Sequence, residues 1–389
     1  MRYVSTRGAA PELDFADVLL TGLASDGGLY VPAEWPSLFA GWSDRDLSYA
    51  DTATAVMWPY VRGSIDRDRF AELVSDSYAG FDDEAVTPLV ELHPGLHLLE
   101  LFRGPTLAFK DIALQLVGRL FEEELTRRDA TMTIVAATSG DTGSAAIEAC
   151  RGRDRVRIFV LHPEGRVSDV QRRQMTTVED DNVHNLAVDG SFDDCQDLVK
   201  AMFADESFRS RHALGAVNSI NWARVMAQTV YYVYAAARVP SDTPPTFVVP
   251  SGNFGNVFAG WVARQMGLPI RRLVVASNQN DILTQFFTTG LMRVGSVEPT
   301  FSPAMDIQVS SNLERLLFEL FGRDGQDLGN AMQAFREAGA IDFGPYVFAA
   351  ASETFAAGTI DDAATLRVIE ATARRSGQVV DPHTAVGLG

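Results

Sequence analysis

The chain has 389 residues and a mass of 42.4 kDa, with 46% apolar and 22% charged residues, enough to bury one large core or two to three smaller ones. Its net charge of −18 and pI near 4.7 argue against nucleic acid as a partner, because phosphate-backbone binding needs a basic face. No apolar stretch of about 18 residues and no apolar signal segment occur, and the only cysteines are Cys150 and Cys195. We therefore expect no membrane partner, no disulfide framework and a cytoplasmic protein.

The first 85 residues differ from the rest of the chain. They are helical and loop-rich, with the turn-dense segment GLASDGGLYVP at residues 22–32. We predict an N-terminal domain over residues 1–85. Residues 86–130 and 240–389 are assigned to a large domain, and residues 131–239 to a small α/β domain.

Lysine is almost absent from this chain. Of 33 basic residues, 31 are arginine, and only Lys110 and Lys200 are lysine. A lysine retained against that bias suits a role that guanidinium does not fill, such as a primary amine that loses its proton and attacks a carbonyl. Lys200 lies in an acidic, helical-looking segment, where a solvated ion pair is the better interpretation. Lys110 lies among apolar residues in LFRGPTLAFKD, where burial would favour the neutral amine.

From about residue 131, strands and helices alternate, which predicts an α/β fold with a parallel sheet covered on both faces. In such sheets, ligands bind beyond the carboxyl ends of the strands, where the polar glycine-rich turns of this chain fall. The predicted strands are residues 133–137, 156–161, 185–188, 246–250 and 272–277. The predicted helices are residues 145–150, 169–175, 220–238 and 257–266.

The turn TSGDTG follows the first of these strands. Its hydroxyls, on Thr138, Ser139 and Thr142, and its glycine N–H groups could hold a carboxylate, and Asp141 adds one acid. The alternative is an N-cap, in which Asp141 or Thr142 caps the next helix, and both interpretations can hold together.

The segment VNSINWAR opens the long helix predicted over residues 220–238. Asn218 and Ser219 could cap that helix, while Asn221 and Arg224 are three residues apart and share a face. Hydroxyl, amide and guanidinium groups at a helix start make a possible anion site. A capped helix with an unrelated arginine is the alternative.

The turn SGNFGN joins the strand at 246–250 to a helix. Gly252 and Gly255 allow the backbone to approach an anion closely, and the helix start adds free N–H donors. This pattern indicates a phosphate site but matches neither the dinucleotide nor the nucleoside-triphosphate motif. A tight turn that needs glycine for its geometry is the alternative. No zinc-ligand spacing is present, since Pro94 and Gly95 separate His93 from His97.

Several segments together resemble the threonine synthase family in identity and order over almost the whole chain. They are YVSTRG, GLASDGGLYVP, LFRGPTLAFKD, AATSGDTGSAA, VNSINWARV, PSGNFGN, SPAMDI and DPHTAVG. The resemblance implies a fold type II pyridoxal-phosphate enzyme, similar to the tryptophan synthase β-subunit, with an added N-terminal module. It also implies conversion of O-phosphohomoserine and water to L-threonine and phosphate, by elimination at Cγ and hydration at Cβ.

The resemblance further implies roles for individual residues. Lys110 would form the internal aldimine with pyridoxal 5'-phosphate and then shuttle protons. Asp141 would lie near the ring hydroxyl of the cofactor, and Thr384 would face its ring nitrogen. The cofactor phosphate would be held by the loop Gly252, Asn253, Phe254, Gly255 and Asn256. The substrate carboxylate would be held by Thr138, Ser139 and Thr142, and the substrate phosphate by Asn218, Ser219 and Arg224.

Two departures from the family pattern are present. Arg103 stands where the family motif usually has histidine, as an added anion contact or a sign of altered specificity. The chain stops at DPHTAVGLG, where relatives continue by several dozen residues. Two other functions remain open, a phospho-lyase of the same fold that releases a 2-keto acid and a catalytically silent relative. Monomer and dimer are both compatible with the sequence.

Overall fold

The structure of the chain is a computed structural model that describes residues 1–138, 140–240 and 243–389. Its N-terminal part pairs two short antiparallel strands and packs three helices against the rest of the protein. Three of its side chains, Asp14, Ser48 and Asp66, cap these helices by accepting backbone N–H groups. The elements are β1 (Tyr3–Ser5), α1 (Phe15–Thr21), β2 (Tyr30–Pro32), α2 (Tyr49–Val61) and α3 (Arg67–Tyr78).

A hairpin and a long buried helix follow. The hairpin consists of β3 (Leu89–His93) and β4 (Leu96–Leu99), so His93 and His97 lie on paired strands. Helix α4 (Lys110–Arg127) begins at the predicted reactive lysine. It packs against α3 and α1 of the N-terminal part. Most of its side chains are buried, which fixes its first turn in the interior.

The smaller of the two parallel sheets has four strands in the order β7-β6-β5-β8. The predicted strands and helices of this region are confirmed, except that the helix predicted over 145–150 begins four residues earlier, at Asp141. Gly140 is its N-cap residue, so neither Asp141 nor Thr142 caps it. The elements are β5 (Met132–Ala137), α5 (Asp141–Cys150), β6 (Val156–Pro163), α6 (Asp169–Thr176), β7 (Val183–Val188), α7 (Phe192–Ala204), α8 (Glu206–Arg211) and β8 (Leu214–Gly215).

The second parallel sheet has three strands in the order β13-β10-β9. Its first elements match the prediction within two residues, whereas the elements after Ser277 were not predicted. The elements are α9 (Trp222–Arg238), β9 (Thr246–Pro250), α10 (Gly255–Gln265), β10 (Arg272–Ser277), α11 (Ile282–Thr289), β11 (Leu291–Arg293), α12 (Leu313–Leu320), α13 (Gly325–Ala338), β12 (Ala340–Asp342), α14 (Gly344–Ser352), β13 (Phe355–Thr359), α15 (Asp362–Ser376) and α16 (Pro382–Leu388).

Helix α9 joins the parts of the molecule. It packs against α2, α4 and α10, and nearly all of its side chains are buried. Strands β5 and β9 each lead through a glycine-containing turn into a helix, α5 and α10 respectively. The division into three domains stays a prediction. Among the helices of the described ranges, none combines the length and the apolar character that crossing a membrane requires.

Candidate active site

The Lys110 amine lies at the first residue of α4 and is 8% exposed. Its Nζ donates to Oδ2 of Asp141 at 3.2 Å. Burial lowers the pKa of Lys110, the Asp141 carboxylate opposes that effect, and the positive charge of Arg224 lowers it further. The Lys200 amine is instead exposed and paired with Asp197 at 2.9 Å, which confirms the solvated ion pair expected for it. Lys110 therefore has the environment that favours a neutral, nucleophilic amine.

The turn before Lys110 is held by the next residue, Asp111. Its buried carboxylate accepts from the backbone N–H of Thr106 at 2.8 Å and from the Thr106 hydroxyl at 2.7 Å. A Cβ on Gly104 would lie 2.5 Å from the Cβ of Asp111, so this close packing requires glycine. Arg103 is paired with Glu100 and lies 3.5 Å from Asp82. Its guanidinium is thus engaged by two carboxylates of the chain itself.

In the turn TSGDTG, the Thr138 hydroxyl and the Asp141 carboxylate have different hydrogen-bond partners. The Thr138 hydroxyl accepts from the N–H groups of Gly140 and Gly143 at 3.0 and 2.9 Å, so it stabilises the turn internally. The Asp141 carboxylate contacts Lys110 and accepts a second hydrogen bond from Gln171 of α6. Sequence reasoning missed Gln171, because α6 carries no motif. Ser139 lies outside the described residues, and the predicted carboxylate contacts of this turn stay predictions.

The start of α9 places a buried cation beside Lys110. Asn221, not Asn218 or Ser219, is the N-cap residue, since its Oδ1 accepts from the N–H of Ala223 at 3.0 Å. Asn218 is exposed and Ser219 is half-buried in the turn that precedes the cap. Arg224, in the first turn, is 4% exposed and contacts the carbonyl of Val217 at 3.1 Å.

The Arg224 guanidinium is not neutralised by an acid in the described part of the chain. Its Nε has no hydrogen-bond partner there, and no ion pair to it occurs among the same residues. Burial lowers the pKa of Arg224 to about 10. A buried cation without a counter-ion is unfavourable by itself and is a suitable partner for an anionic ligand.

The turn SGNFGN forms a backbone cradle at the start of α10. No side chain caps this helix, and its N-cap residue, Phe254, has a φ of 62° that is held by stacking on Phe287 at 5.6 Å. A Cβ on Gly252 would lie 2.7 Å from the carbonyl oxygen of Ala304, so this position requires glycine. Asn256 accepts at Oδ1 from the hydroxyls of two tyrosines, Tyr231 and Tyr232 of α9. The uncapped helix start suits a phosphate group.

The C-terminal motif DPHT caps the last helix. Asp381 accepts from the Thr384 hydroxyl at 2.6 Å and from the N–H of His383 at 2.8 Å. His383 Nε2 accepts from the N–H of Ala304 at 3.2 Å, which joins this motif to the SPAMDI segment beside Gly252. Thr384 therefore lies on the same side of the molecule as the SGNFGN turn. Its contact with a ring nitrogen stays a prediction.

These groups fit pyridoxal 5'-phosphate. The buried amine of Lys110, whose pKa is lowered, suits attachment of an aldehyde, and the uncapped start of α10 suits its phosphate. The uncompensated Arg224 provides a second anion site within electrostatic range of Lys110. Within residues 1–138, 140–240 and 243–389, no three metal-ligating side chains form a cluster.

Comparisons with known proteins agree with this assignment. The profile described as "Pyridoxal-phosphate dependent enzyme" matches residues 81–340, and the one described as "Threonine synthase N terminus" matches residues 2–78. The chain is 50% identical to threonine synthase of Pseudomonas aeruginosa, covering 100% of this chain and 83% of that protein. The crystal structure of pyridoxal-phosphate-bound threonine synthase from Brucella melitensis matches with a TM-score of 0.97 at 48% identity, over 100% of this chain and 84% of that one. The yeast threonine synthase structure matches with a TM-score of 0.94 at 43% identity, over 100% and 82%.

Proposed function

The chain belongs to the threonine synthase family of pyridoxal-phosphate enzymes, and from this premise we propose how its own residues serve the reaction. The protein is a pyridoxal-phosphate-dependent lyase that converts O-phosphohomoserine and water to L-threonine and phosphate. The proposed roles rest on one observation: the buried amine of Lys110 lies within electrostatic range of the buried, uncompensated guanidinium of Arg224. One group suits the cofactor aldehyde, and the other suits the phosphate that leaves the substrate.

Lys110 holds the cofactor and afterwards moves protons at Cα and Cβ of the substrate. Pyridoxal phosphate, when bound, supplies the electron sink that stabilises negative charge at these carbons. Burial lowers the pKa of the Lys110 amine and so disfavours its protonated form, while the Asp141 carboxylate 3.2 Å away stabilises that form. These opposing effects suit an amine that must gain and lose a proton in one catalytic cycle.

The phosphate groups of the two ligands are held at two helix starts. The loop from Gly252 to Asn256 holds the cofactor phosphate, supported by the uncapped N-terminus of α10. Arg224, with Asn218 and Ser219, holds the substrate phosphate. Arg224 gains the counter-ion that it lacks in the protein alone, so the ligand offsets a desolvation cost already present.

The turn TSGDTG receives the substrate carboxylate through Ser139 and Thr142. Thr142 is half-buried, and its hydroxyl makes no hydrogen bond within the described parts of the chain. Thr138 acts through the turn, since its hydroxyl already holds the N–H groups of Gly140 and Gly143. Asp141 would serve the cofactor ring, and Thr384, whose hydroxyl donates to Asp381, would serve the ring nitrogen.

The substrate is a small molecule, and we propose a cytoplasmic location. Support comes from the amino-acid-biosynthetic activity and from the two cysteines, both of which are buried and unpaired. A monomer and a dimer are both compatible with the proposed site, because every group assigned to it comes from one chain.

The proposal is tested by incubating the holoprotein with O-phosphohomoserine and measuring threonine, 2-oxobutyrate and phosphate. We expect threonine and phosphate in equal amounts, and no product with the Lys110→Ala variant. Release of 2-oxobutyrate in place of threonine would show that water is not directed to Cβ, and the phospho-lyase function would replace this one. Absence of any product from a yellow holoprotein would favour a silent relative.

A further inference from the structure

The two proposed phosphate loops are connected by one pair of buried side chains, Asn312 and Arg315, at the start of α12. Both residues are 0% exposed. They are distant in sequence from both loops, and no part of the mechanism above uses them. Several of their hydrogen bonds nevertheless end on backbone carbonyls of these loops.

Asn312 contacts the cofactor loop and the substrate loop with the same amide group. Its Nδ2 donates to the carbonyl of Asn253 at 3.0 Å and to the carbonyl of Ser219 at 3.1 Å. Its backbone N–H also donates to Asn253 at 3.1 Å. The remaining side-chain atom, Oδ1, accepts from Arg315. The amide therefore cannot rotate to follow one loop without releasing the other.

Arg315 extends this connection to the N-terminal part of the chain. Its Nη2 donates to the carbonyl of Ile220 at 2.5 Å, and its Nε donates to the carbonyl of Tyr30 in β2 at 3.0 Å. All of its acceptors are uncharged oxygens. The neighbouring acid, Glu314, is instead paired with Arg7 at 3.0 Å. A positive charge thus contacts the loop at 218–224 directly and is linked to the loop at 252–256 through Asn312, where it favours anionic ligands.

We propose that Asn312 and Arg315 form a clamp that couples the two phosphate loops, so that binding of the cofactor phosphate orders the site for the substrate phosphate. Both are positioning residues, because their hydrogen bonds end on loop backbone. The inference rests on the proposed roles of the loops at 252–256 and 218–224. Because the same two side chains hold the backbone of both loops, loss of the clamp should weaken binding at both of them.

Arg323 provides a matched control on the same segment of chain. It lies just after α12 and joins the same strand β2 through the carbonyl of Pro32 at 3.1 Å, with Glu319 as its ion-pair partner at 2.8 Å. No hydrogen bond from Arg323 to either loop occurs among the described residues. Arg315→Lys and Arg323→Lys therefore both loosen the attachment of α12 to the N-terminal part, but only the first releases the loops, because lysine lacks the planar fork of donors.

The experiment measures five quantities for each variant. They are the dissociation constants of pyridoxal 5'-phosphate and of phosphate-free pyridoxal, the KM and the kcat for O-phosphohomoserine, and the urea midpoint of the cofactor-free protein. For Arg315→Lys we expect both the dissociation constant of pyridoxal 5'-phosphate and the KM to rise by about fivefold or more, within the usual range of site-to-site coupling. Pyridoxal affinity should change by less than about twofold. Arg323→Lys should change neither ligand constant, although its urea midpoint falls.

Asn312→Ala is the second variant if Arg315→Lys does not fold, and it should weaken the same two constants. The double variant should lose no more than the larger single effect, because the two side chains act as a unit. A change in only one ligand constant, an equal loss of pyridoxal affinity, or an equal effect of Arg323→Lys would overturn the clamp. Failure of the wild-type protein to make threonine would instead contradict the proposed function, and the cofactor constants would still test the clamp's effect on the 252–256 loop.

Discussion

Replacement of Arg224 by methionine should lower the activity of the protein without lowering its stability. Methionine keeps much of the apolar volume of the side chain and removes the guanidinium. In the cofactor-free protein that guanidinium is buried, and burial lowers its pKa from its ordinary value to about 10. A fall of this size corresponds to a penalty on the charged form of about 3 kcal/mol. Because the pKa is lower in the folded than in the unfolded protein, the penalty is present in full at pH 7 and fades only as the pH rises through about 10.

The free energy of unfolding of cofactor-free Arg224→Met should therefore be unchanged or higher, by up to about 3 kcal/mol at pH 7. The activity should change in the opposite direction. A charge-assisted hydrogen bond contributes about 1.5–3 kcal/mol, so loss of the guanidinium–phosphate contact should lower kcat/KM for O-phosphohomoserine by about 10- to 100-fold. Arg224→Lys keeps the positive charge but lacks the planar set of guanidinium donors, so its kcat/KM should lie between those of the wild type and Arg224→Met.

Urea unfolding, steady-state kinetics and titration with pyridoxal phosphate measure the three effects of Arg224→Met separately. We expect cofactor affinity to change far less than kcat/KM. An equal loss of cofactor affinity would place Arg224 at the 252–256 loop instead of the substrate phosphate. A fall in unfolding free energy of more than about 2 kcal/mol would show that the guanidinium supports the fold, contrary to the argument from its burial.

Three further predictions follow from the same geometry. Lys110→Ala should abolish the borohydride-reducible attachment of the cofactor, whereas Lys200→Arg should keep it, and peptide mapping that finds the label on Lys200 would contradict the assignment. Gly252→Ala should lower cofactor affinity by about tenfold or more, because its Cβ would lie 2.7 Å from a carbonyl oxygen. The control is Gly329→Ala, whose Cβ would have no atom within 4 Å. It should raise the urea midpoint and leave cofactor affinity unchanged. Cofactor attachment to the apoprotein should have its pH midpoint below 10.5, because burial lowers the pKa of Lys110. Asp141→Asn should lower the midpoint further, because it removes the carboxylate that opposes this effect. An unchanged midpoint in that variant would refute the contact between Lys110 and Asp141.

The sequence predicted three of the four strands of the first parallel sheet and two of the three strands of the second, but neither β8 nor β13. Strands β5, β6, β9 and β10 are short apolar runs bounded by polar turns, so their local pattern is sufficient. Strand β13, with the sequence FAAGT, carries small residues and glycine, which have low strand propensity. It is a strand because it pairs in parallel with β10 from a distance of about 80 residues in the chain, and no local pattern contains that pairing.

The motifs indicated the loops of the proposed site but not the direction of each side chain. Thr138 and Thr142 are equivalent as hydroxyls in the sequence TSGDTG. In the structure the Thr138 hydroxyl is used inside the turn, and the Thr142 hydroxyl makes no hydrogen bond in the described residues. The difference arises because the positive φ of Gly140, 149°, folds the turn back onto Thr138. A single sequence specifies the glycine but does not reveal which hydroxyl the fold encloses.

The burial of Arg315 and its contact with the loop at 218–224 could not be predicted from the sequence. In SNLERLL, an acid next to an arginine at the start of an amphipathic helix is typical of a solvated surface. Instead, Glu314 accepts from Arg7 and Thr6 near the chain's N-terminus, and Arg315 is fully buried among backbone carbonyls. One of these carbonyls belongs to Tyr30 of β2, so the N-terminal part satisfies a donor that also bonds to Ile220, in the loop proposed to hold the substrate phosphate. Without that strand the buried donor would be unsatisfied, at a cost of about 1–3 kcal/mol, and the loop would lose its fixed position. The N-terminal part therefore contributes to the geometry of the site, although none of the residues proposed to bind substrate or cofactor lies within it.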